Sequence, residues 1–254
     1  GNSGDLMALP YEIEAVRPKQ VGILALQADE SLEPDLRRMM PENVEYLVSR
    51  VPSDASVSSE TLRAMESRIG DAAALFPRGA TLGAVAYGCT SASAEIGAAR
   101  VQALVQRGVN TPHVTQPLSA LLAACDHLGI RRLGVISPYI EAVSDKLRHE
   151  ITRAGLEVTR FASFEEAEEK RVVRISAASI LQATTDLGRH DDCDAVFLSC
   201  TNLRTLDMIA RAEVAIGKPV LSSNQVLVWH LAQLGGFAAD VKGIGRLFDQ
   251  PPQI

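Results

Sequence analysis

Short apolar runs alternate with longer stretches of helical spacing along most of the chain. The runs Lys19–Leu26 and Val44–Val51 read as strands, with a polar loop after the first and a helix starting at Pro34. Leu62, Met65, Ile69, Ala72 and Leu75 recur at helical intervals, so Ser59–Phe76 is expected as one helix with Ser59 as its N-cap. A strand over Leu82–Tyr87 and a helix over Ala92–Gln106 follow. The order then restarts: helix Leu118–Leu128 stopped by Gly129, strand Arg132–Ser137 ending at Tyr139, helix Glu141–Ala154 stopped by Gly155, and strand Leu156–Phe161. The charged stretch Glu165–Arg174 reads as a solvated helix face, and Ile175–Leu187 continues helically. Strand Ala195–Leu198, helix Thr205–Ile216, strand Pro219–Ser222 and helix Asn224–Leu234 complete the pattern. Strands alternating with helices at these lengths predict an α/β fold with parallel sheets.

The two halves carry the same phrase. Ala84-Val-Ala-Tyr-Gly-Cys89-Thr90-Ser91 and Ala195-Val-Phe-Leu-Ser-Cys200-Thr201-Asn202 are apolar runs ending in a cysteine and then hydroxyl or amide side chains. A spacing of roughly 110 residues suits a duplicated lobe better than a solenoid repeat. Two Rossmann-like lobes related by a pseudo-two-fold axis would bring both phrases to one cleft. The expected division is residues 19–114 plus 223–254 for the first lobe and 115–222 for the second. Residues 1–10 are expected to lie outside the fold, as a disordered stretch or a remnant of cloning.

Open parallel sheets bind ligands at the C-terminal ends of their strands. Cys89 and Cys200 sit there, each expected to start a helix whose free N–H groups would depress a thiol's pKa. A single free cysteine is usually a small buried apolar residue; two at equivalent strand ends point to chemistry. Gly88 is expected to let the backbone approach a ligand closely. Thr90, Ser91, Thr201 and Asn202 are candidate substrate donors, and Gln27 and Asp29 further candidate substrate-binding residues. Tyr139, also at a strand end, either donates to a substrate oxygen or packs with its hydroxyl in water. Asp29, beside Gln27 and Glu30 at the exit of the first strand, could polarise a thiol, bind an ammonium group, or belong to a solvated loop. Ser222, Ser223 and Asn224 are expected to line the site or cap the last helix. Cys125 reads as core and Cys193 as structural. Trp229 is expected in the core, and His230 and Arg204 at the surface.

A net charge of −6 with no Lys/Arg cluster points away from nucleic acid, and no apolar stretch reaches the ~20 residues that span a bilayer. Four cysteines are too few for a disulfide scaffold, so a cytoplasmic, reduced setting is expected. Neither the cysteine nor the histidine spacing matches a metal site, and none is expected.

Taken in order, Gly88-Cys-Thr-Ser91, Leu128-Gly-Ile-Arg-Arg-Leu-Gly-Val-Ile-Ser-Pro-Tyr-Ile140, Leu198-Ser-Cys-Thr-Asn-Leu-Arg-Thr-Leu-Asp207, Gly217-Lys-Pro-Val-Leu-Ser-Ser-Asn224 and Gly245-Arg-Leu-Phe-Asp249 resemble the aspartate/glutamate racemase superfamily. The resemblance is to its branch of maleate cis-trans isomerases and arylmalonate decarboxylases. It implies two lobes with the site between them, no cofactor, and a tendency to form homo-oligomers. Having both Cys89 and Cys200 is similar to the racemases and maleate isomerases, since the decarboxylases carry glycine at the first position. Thr90, Ser91 and Tyr139 match positions that hold the substrate carboxylate in the decarboxylases. The chain departs from the maleate isomerases at Leu26-Gln-Ala-Asp-Glu30, where they show Pro-Ser-Ser-Asn-Thr, and lacks a second asparagine near Phe161–Glu166. These departures leave open a member adapted to an amino acid or its derivative, as in the racemase-like proteins of ectoine-utilisation clusters. The expected activity is therefore cofactor-independent isomerisation or racemisation of a small mono- or dicarboxylate by Cys89 and Cys200. The alternatives are an arylmalonate-type decarboxylase with Cys200 as proton donor, and a non-catalytic carboxylate-binding protein.

Overall fold

The computed structural model describes residues 4–239 and 241–249. Its first half runs β1 (Lys19–Leu26), α1 (Leu32–Met39), β2 (Val44–Val51), α2 (Ser59–Ala64), α3 (Glu66–Ala73), β3 (Val85–Gly88), α4 (Thr90–Ile96), α5 (Ala98–Gly108), β4 (Val114–Thr115) and α6 (Pro117–Leu128). The second runs β5 (Arg132–Tyr139), α7 (Glu141–Arg153), β6 (Glu157–Glu166), α8 (Glu169–Val172), α9 (Ala177–Gly188), β7 (Ala195–Leu198), α10 (Leu206–Ile216), β8 (Val220–Ser222), α11 (Ser223–Gly235) and α12 (Arg246–Asp249). Two four-stranded parallel sheets result, ordered β2-β1-β3-β4 and β6-β5-β7-β8. The repeated strand order makes β3 and β7 counterparts, and each delivers its cysteine from an inner strand. Both strands are wholly buried, as expected of short apolar runs covered on both faces.

Several boundaries differ from the sequence reading, for local reasons. The helix expected over Ser59–Phe76 divides into α2 and α3. Its cap is Ser58, whose hydroxyl accepts from the Thr61 N–H while the Thr61 side chain returns to the Ser58 N–H. The helix expected over Ala92–Gln106 breaks at Gly97, whose φ of +95° lies in a region that L side chains rarely adopt. Strand β6 extends to Glu166, and the charged stretch after it is not simply a solvated face: Glu169 and Val172 of α8 are buried. No helix starts at Thr201; residues 201–203 turn, and α10 begins at Leu206. His230 is half-buried, its Nδ1 2.7 Å from the Thr115 hydroxyl.

Residues 4–18 carry no helix or strand and are exposed. Helix α11 packs on α6, α1 and β3. The Arg246 N–H donates to Glu213 of α10, and Leu247 shares a core cluster with Phe197 and Leu221. The C-terminal stretch therefore touches elements of both sheets. Cys125 lies in the same cluster, and Cys193 is buried. No helix among the described residues is long and apolar enough to cross a membrane.

Candidate active site

The ends of β1, β3, β5 and β7 converge on a small, largely enclosed cavity. It is lined by Cys89, Thr90 and Ser91 from the first sheet's side and by Tyr139, Cys200, Thr201 and Asn202 from the second's, with Leu26, Asp29 and Glu169. Gln27 does not line it: the side chain is exposed and its oxygen accepts from the Ser53 N–H at 3.2 Å.

The two cysteines reach the cavity by different backbones. Cys89 is the N-cap of α4, its Sγ accepting from the Ala92 N–H at 3.4 Å. Gly88 before it faces protein and not a ligand: a Cβ there would meet Leu32 Cδ2 at 2.5 Å. Cys200 has φ +118°, strained for a residue with a side chain. Neighbours hold it there. Its N–H donates to Ser223 Oγ at 2.9 Å, and its Sγ accepts from the Asn202 N–H at 3.3 Å. Ser223 in turn lies 2.7 Å from the Thr90 hydroxyl, which ties the two cysteine segments together. Ser222 caps α11 through a reciprocal pair with Gln225, and Asn224 bridges Asp35 and the Thr201 carbonyl, each at 2.8 Å.

A buried polar chain runs from Cys200. Its sulfur is 2.9 Å from the Tyr139 hydroxyl, which donates to Glu169 Oε1 at 2.6 Å; Asn202 Nδ2 donates to Oε2 at 2.7 Å. With the phenol proton on Glu169, the phenol oxygen is left to accept the Cys200 S–H. Glu169 was not legible as a site residue, because it stands inside a run of charges. Asp29 is equally buried and belongs to no solvated loop. Its Oδ1 accepts from the N–H groups of Ser31 and Leu32 at 2.8 and 2.7 Å, and its Oδ2 from the Thr201 hydroxyl at 2.9 Å. Arg204 is exposed, as expected, and bonds the Glu30 carbonyl. The Ser91 hydroxyl is buried at the cavity without a hydrogen-bond partner.

Electrostatics in the cavity run against the expected thiol activation. Burial pushes Cys89 up to about 12; the Ala92 N–H works in the opposite direction, and the charges of Glu169 and Asp29 add to the rise. Burial and the Glu169 charge push Cys200 well above its ordinary value. Burial raises Asp29, Glu169 and Tyr139 as well. The N–H of Ala92 aimed at Cys89 and that of Asn202 aimed at Cys200 are outweighed by desolvation and two carboxylates. Among the described residues no three His, Cys, Asp or Glu side chains are grouped to hold a metal.

The arylmalonate decarboxylase family model matches residues 21–248, and the chain belongs to that family. It is 29% identical to a maleate isomerase of Alcaligenes faecalis over 200 residues, covering 75% of this chain and 78% of that one. It is 31% identical to an arylmalonate decarboxylase of Bordetella bronchiseptica over 134 residues, 52% of this chain and 56% of the other. Its fold matches a Nocardia farcinica maleate cis-trans isomerase bearing a covalently bound succinylcysteine intermediate. There the TM-score is 0.83 at 20% identity, covering 92% of this chain and all of that one.

Proposed function

We propose that this member of the arylmalonate decarboxylase family is a cofactor-independent isomerase or racemase of a small carboxylic acid, with Cys89 and Cys200 as its reacting groups. The observation that carries the reading is the delivery of two thiols, from β3 and β7, into one buried cavity. A decarboxylase needs a single proton donor; two thiols suit a reaction that takes a proton, or adds a bond, at one face and returns a proton at the other. The maleate isomerase relatives support this, as does the cysteine adduct of the Nocardia protein.

Cys89 is the group that loses its proton, because Cys200 has a settled place for its S–H on the Tyr139 oxygen. In proton transfer, the Cys89 thiolate takes the α-hydrogen, the electron pair moves into the carboxylate as an enediolate, and the Cys200 thiol protonates the carbon. In cis-trans isomerisation, the same thiolate forms a C–S bond to one alkene carbon while the π pair moves into the adjoining carboxylate as an enediolate; rotation about the resulting single bond follows, and the pair returns to re-form the double bond as the C–S bond breaks and the thiolate leaves. Donors such as Ser91 stabilise the enediolate, at about 2.7–4 kcal/mol for a well-placed group.

The test is a screen of maleate, aspartate, glutamate and substituted malonates, followed by alanine variants. Cys89→Ala and Cys200→Ala should each lose at least a thousandfold in turnover, while Cys125→Ala and Cys193→Ala keep it. Full activity in Cys89→Ala would overturn the two-thiol reading. Carbon dioxide release from substituted malonates, surviving in Cys89→Ala, would establish the decarboxylase alternative, which the family match favours.

A further inference from the structure

Six of the nine large apolar side chains exposed among the described residues lie between Leu6 and Val16, ahead of β1. Surfaces that face only water scatter such side chains singly; here they form one stretch. Within it Met7, Leu9, Tyr11 and Ile13 are 75–81% exposed and fall at every second position, alternating with Ala8, Pro10, Glu12 and Glu14. In an extended backbone that spacing puts the four apolar side chains on one face. Pro10, which has no N–H, then falls on the same backbone edge as Ala8, Glu12 and Glu14. The peptide groups of Leu9, Tyr11 and Ile13 are left to bond a strand on the other edge. The stretch has the pattern of an edge strand and no sheet of its own.

β2 offers it an edge. This strand ends the order β2-β1-β3-β4, with β1 its only strand neighbour among the described residues. Its register with β1 is unbroken from Lys19 with Val44 to Leu26 with Val51. Tyr46 is half-buried and Val48 exposed, on the face opposite Ser49, which bonds the Ala72 carbonyl of α3. The outer strand of the other sheet is protected against pairing: the β6 register slips twice, and Glu165 has φ +56°. β2 carries no such interruption.

Charge selects whose edge is used. Arg17 lies 3.9 Å from Glu45, so the stretch departs beside the start of its own β2. Folded back along that strand it would run antiparallel and bring Glu14 and Glu12 to Glu42 and Glu45, like against like. Laid parallel on the β2 of a second copy, it brings them to the opposite end, where Arg68 reaches the Pro52 carbonyl. From Ile13 to Lys19 the extended chain reaches about 20 Å, against about 4.8 Å between neighbouring strands, enough to pass its own β2.

We infer that residues 7–13 are an exchange arm: in a dimer, each chain lays this segment parallel along the open β2 edge of the other copy. Met7, Leu9, Tyr11 and Ile13 then continue the face of Tyr46 and Val48, where aromatic and β-branched side chains pair well across strands. Reciprocal exchange of the same segment closes the assembly at two chains.

Sedimentation equilibrium of the full chain should give twice the chain mass at micromolar concentration. Leu9→Ser/Tyr11→Ser/Ile13→Ser alters only side chains exposed on the arm, and Val48→Lys puts a charge on the open edge. Each should weaken the dimer at least tenfold with the circular dichroism spectrum unchanged. A Leu9→Cys or Tyr11→Cys chain, oxidised by copper phenanthroline with a size-tagged Val48→Cys chain, should form a disulfide between the two unlike chains. The double variant Tyr11→Cys/Val48→Cys should cross-link between chains and not within one. A monomer at every concentration, a dimer that the arm variant leaves intact, or a cross-link within one chain would overturn the inference. So would a dimer that needs the arm but is indifferent to Val48→Lys and yields no cross-link.

Discussion

Replacing Glu169 by glutamine should speed alkylation of Cys200, because the Glu169 charge holds that thiol up, and the structure gives the size of the effect for an ionised Glu169. The two contacts through Tyr139 put a Glu169 oxygen no more than about 5.5 Å from the Cys200 sulfur, the sum of 2.9 and 2.6 Å. At an effective dielectric of about 20, a unit charge at that distance opposes a thiolate by about 3 kcal/mol, or roughly two pKa units. Glutamine keeps the side-chain volume and can still accept from Tyr139, so the charge changes together with one hydrogen bond, the acceptor of the Asn202 amide. At a fixed pH below both values the thiolate fraction rises about a hundredfold, and the weaker nucleophilicity of a less basic sulfur offsets about tenfold of that. The net expectation is about tenfold. The assay is iodoacetamide labelling at pH 8, read by mass spectrometry as the ratio of Cys200 to Cys125 labelling in each protein. Cys125 lies on the buried face of α6, so the ratio removes any general loosening of the fold. A ratio within twofold of that of the unaltered protein, or a fall, would refute the assignment of an ionised Glu169 next to Cys200.

Asp35→Asn should stabilise the protein at pH 7 and leave it unchanged at pH 4. Burial holds the Asp35 carboxyl at about 6, above its unfolded value. The folded state therefore keeps a proton that the unfolded state has lost, and stability falls as pH rises from about 4 to about 6. An amide can still accept from Asn224 and escapes that loss; the gain at pH 7 is about 1–3 kcal/mol, measured by urea unfolding at both pH values. Ser91→Ala should raise the stability of the unliganded protein by about 1 kcal/mol, because it removes a buried hydroxyl that has no partner, and should weaken carboxylate binding in the same sample. Thermal melts with and without ligand check both signs together.

The strands that deliver chemistry were legible, because a short buried run ending in polar residues has little else it can be. The polar side chains after those runs reach the cavity for the same reason: a parallel sheet aims them all at its C-terminal edge. The turn after Cys200 was not legible. Thr201 and Asn202 resemble helix-starting residues, but they are taken by Asp29 and Glu169 across the cleft, and these long-range bonds override local preference. Glu169 was hidden for a related reason. Its neighbours Glu168, Lys170 and Arg171 face outward, and only the three-residue spacing of Glu169 and Val172 marks an inward face. The helix stop at Gly129 was readable because that glycine adopts the left-handed cap itself.

The duplication is imperfect where it matters most: Cys89 caps a helix, whereas Cys200 sits in a turn beside a phenol and a carboxylate. If substrate and product are mirror images, their equilibrium constant is one, and kcat/KM must be the same in both directions whatever the enzyme does. Unequal thiols therefore cannot favour one hand of the substrate over the other. Their inequality can appear only as a kcat and a KM that differ between the two hands by the same factor. Saturating rates measured from each enantiomer would thus show, as a ratio, how far the second lobe has diverged from the first.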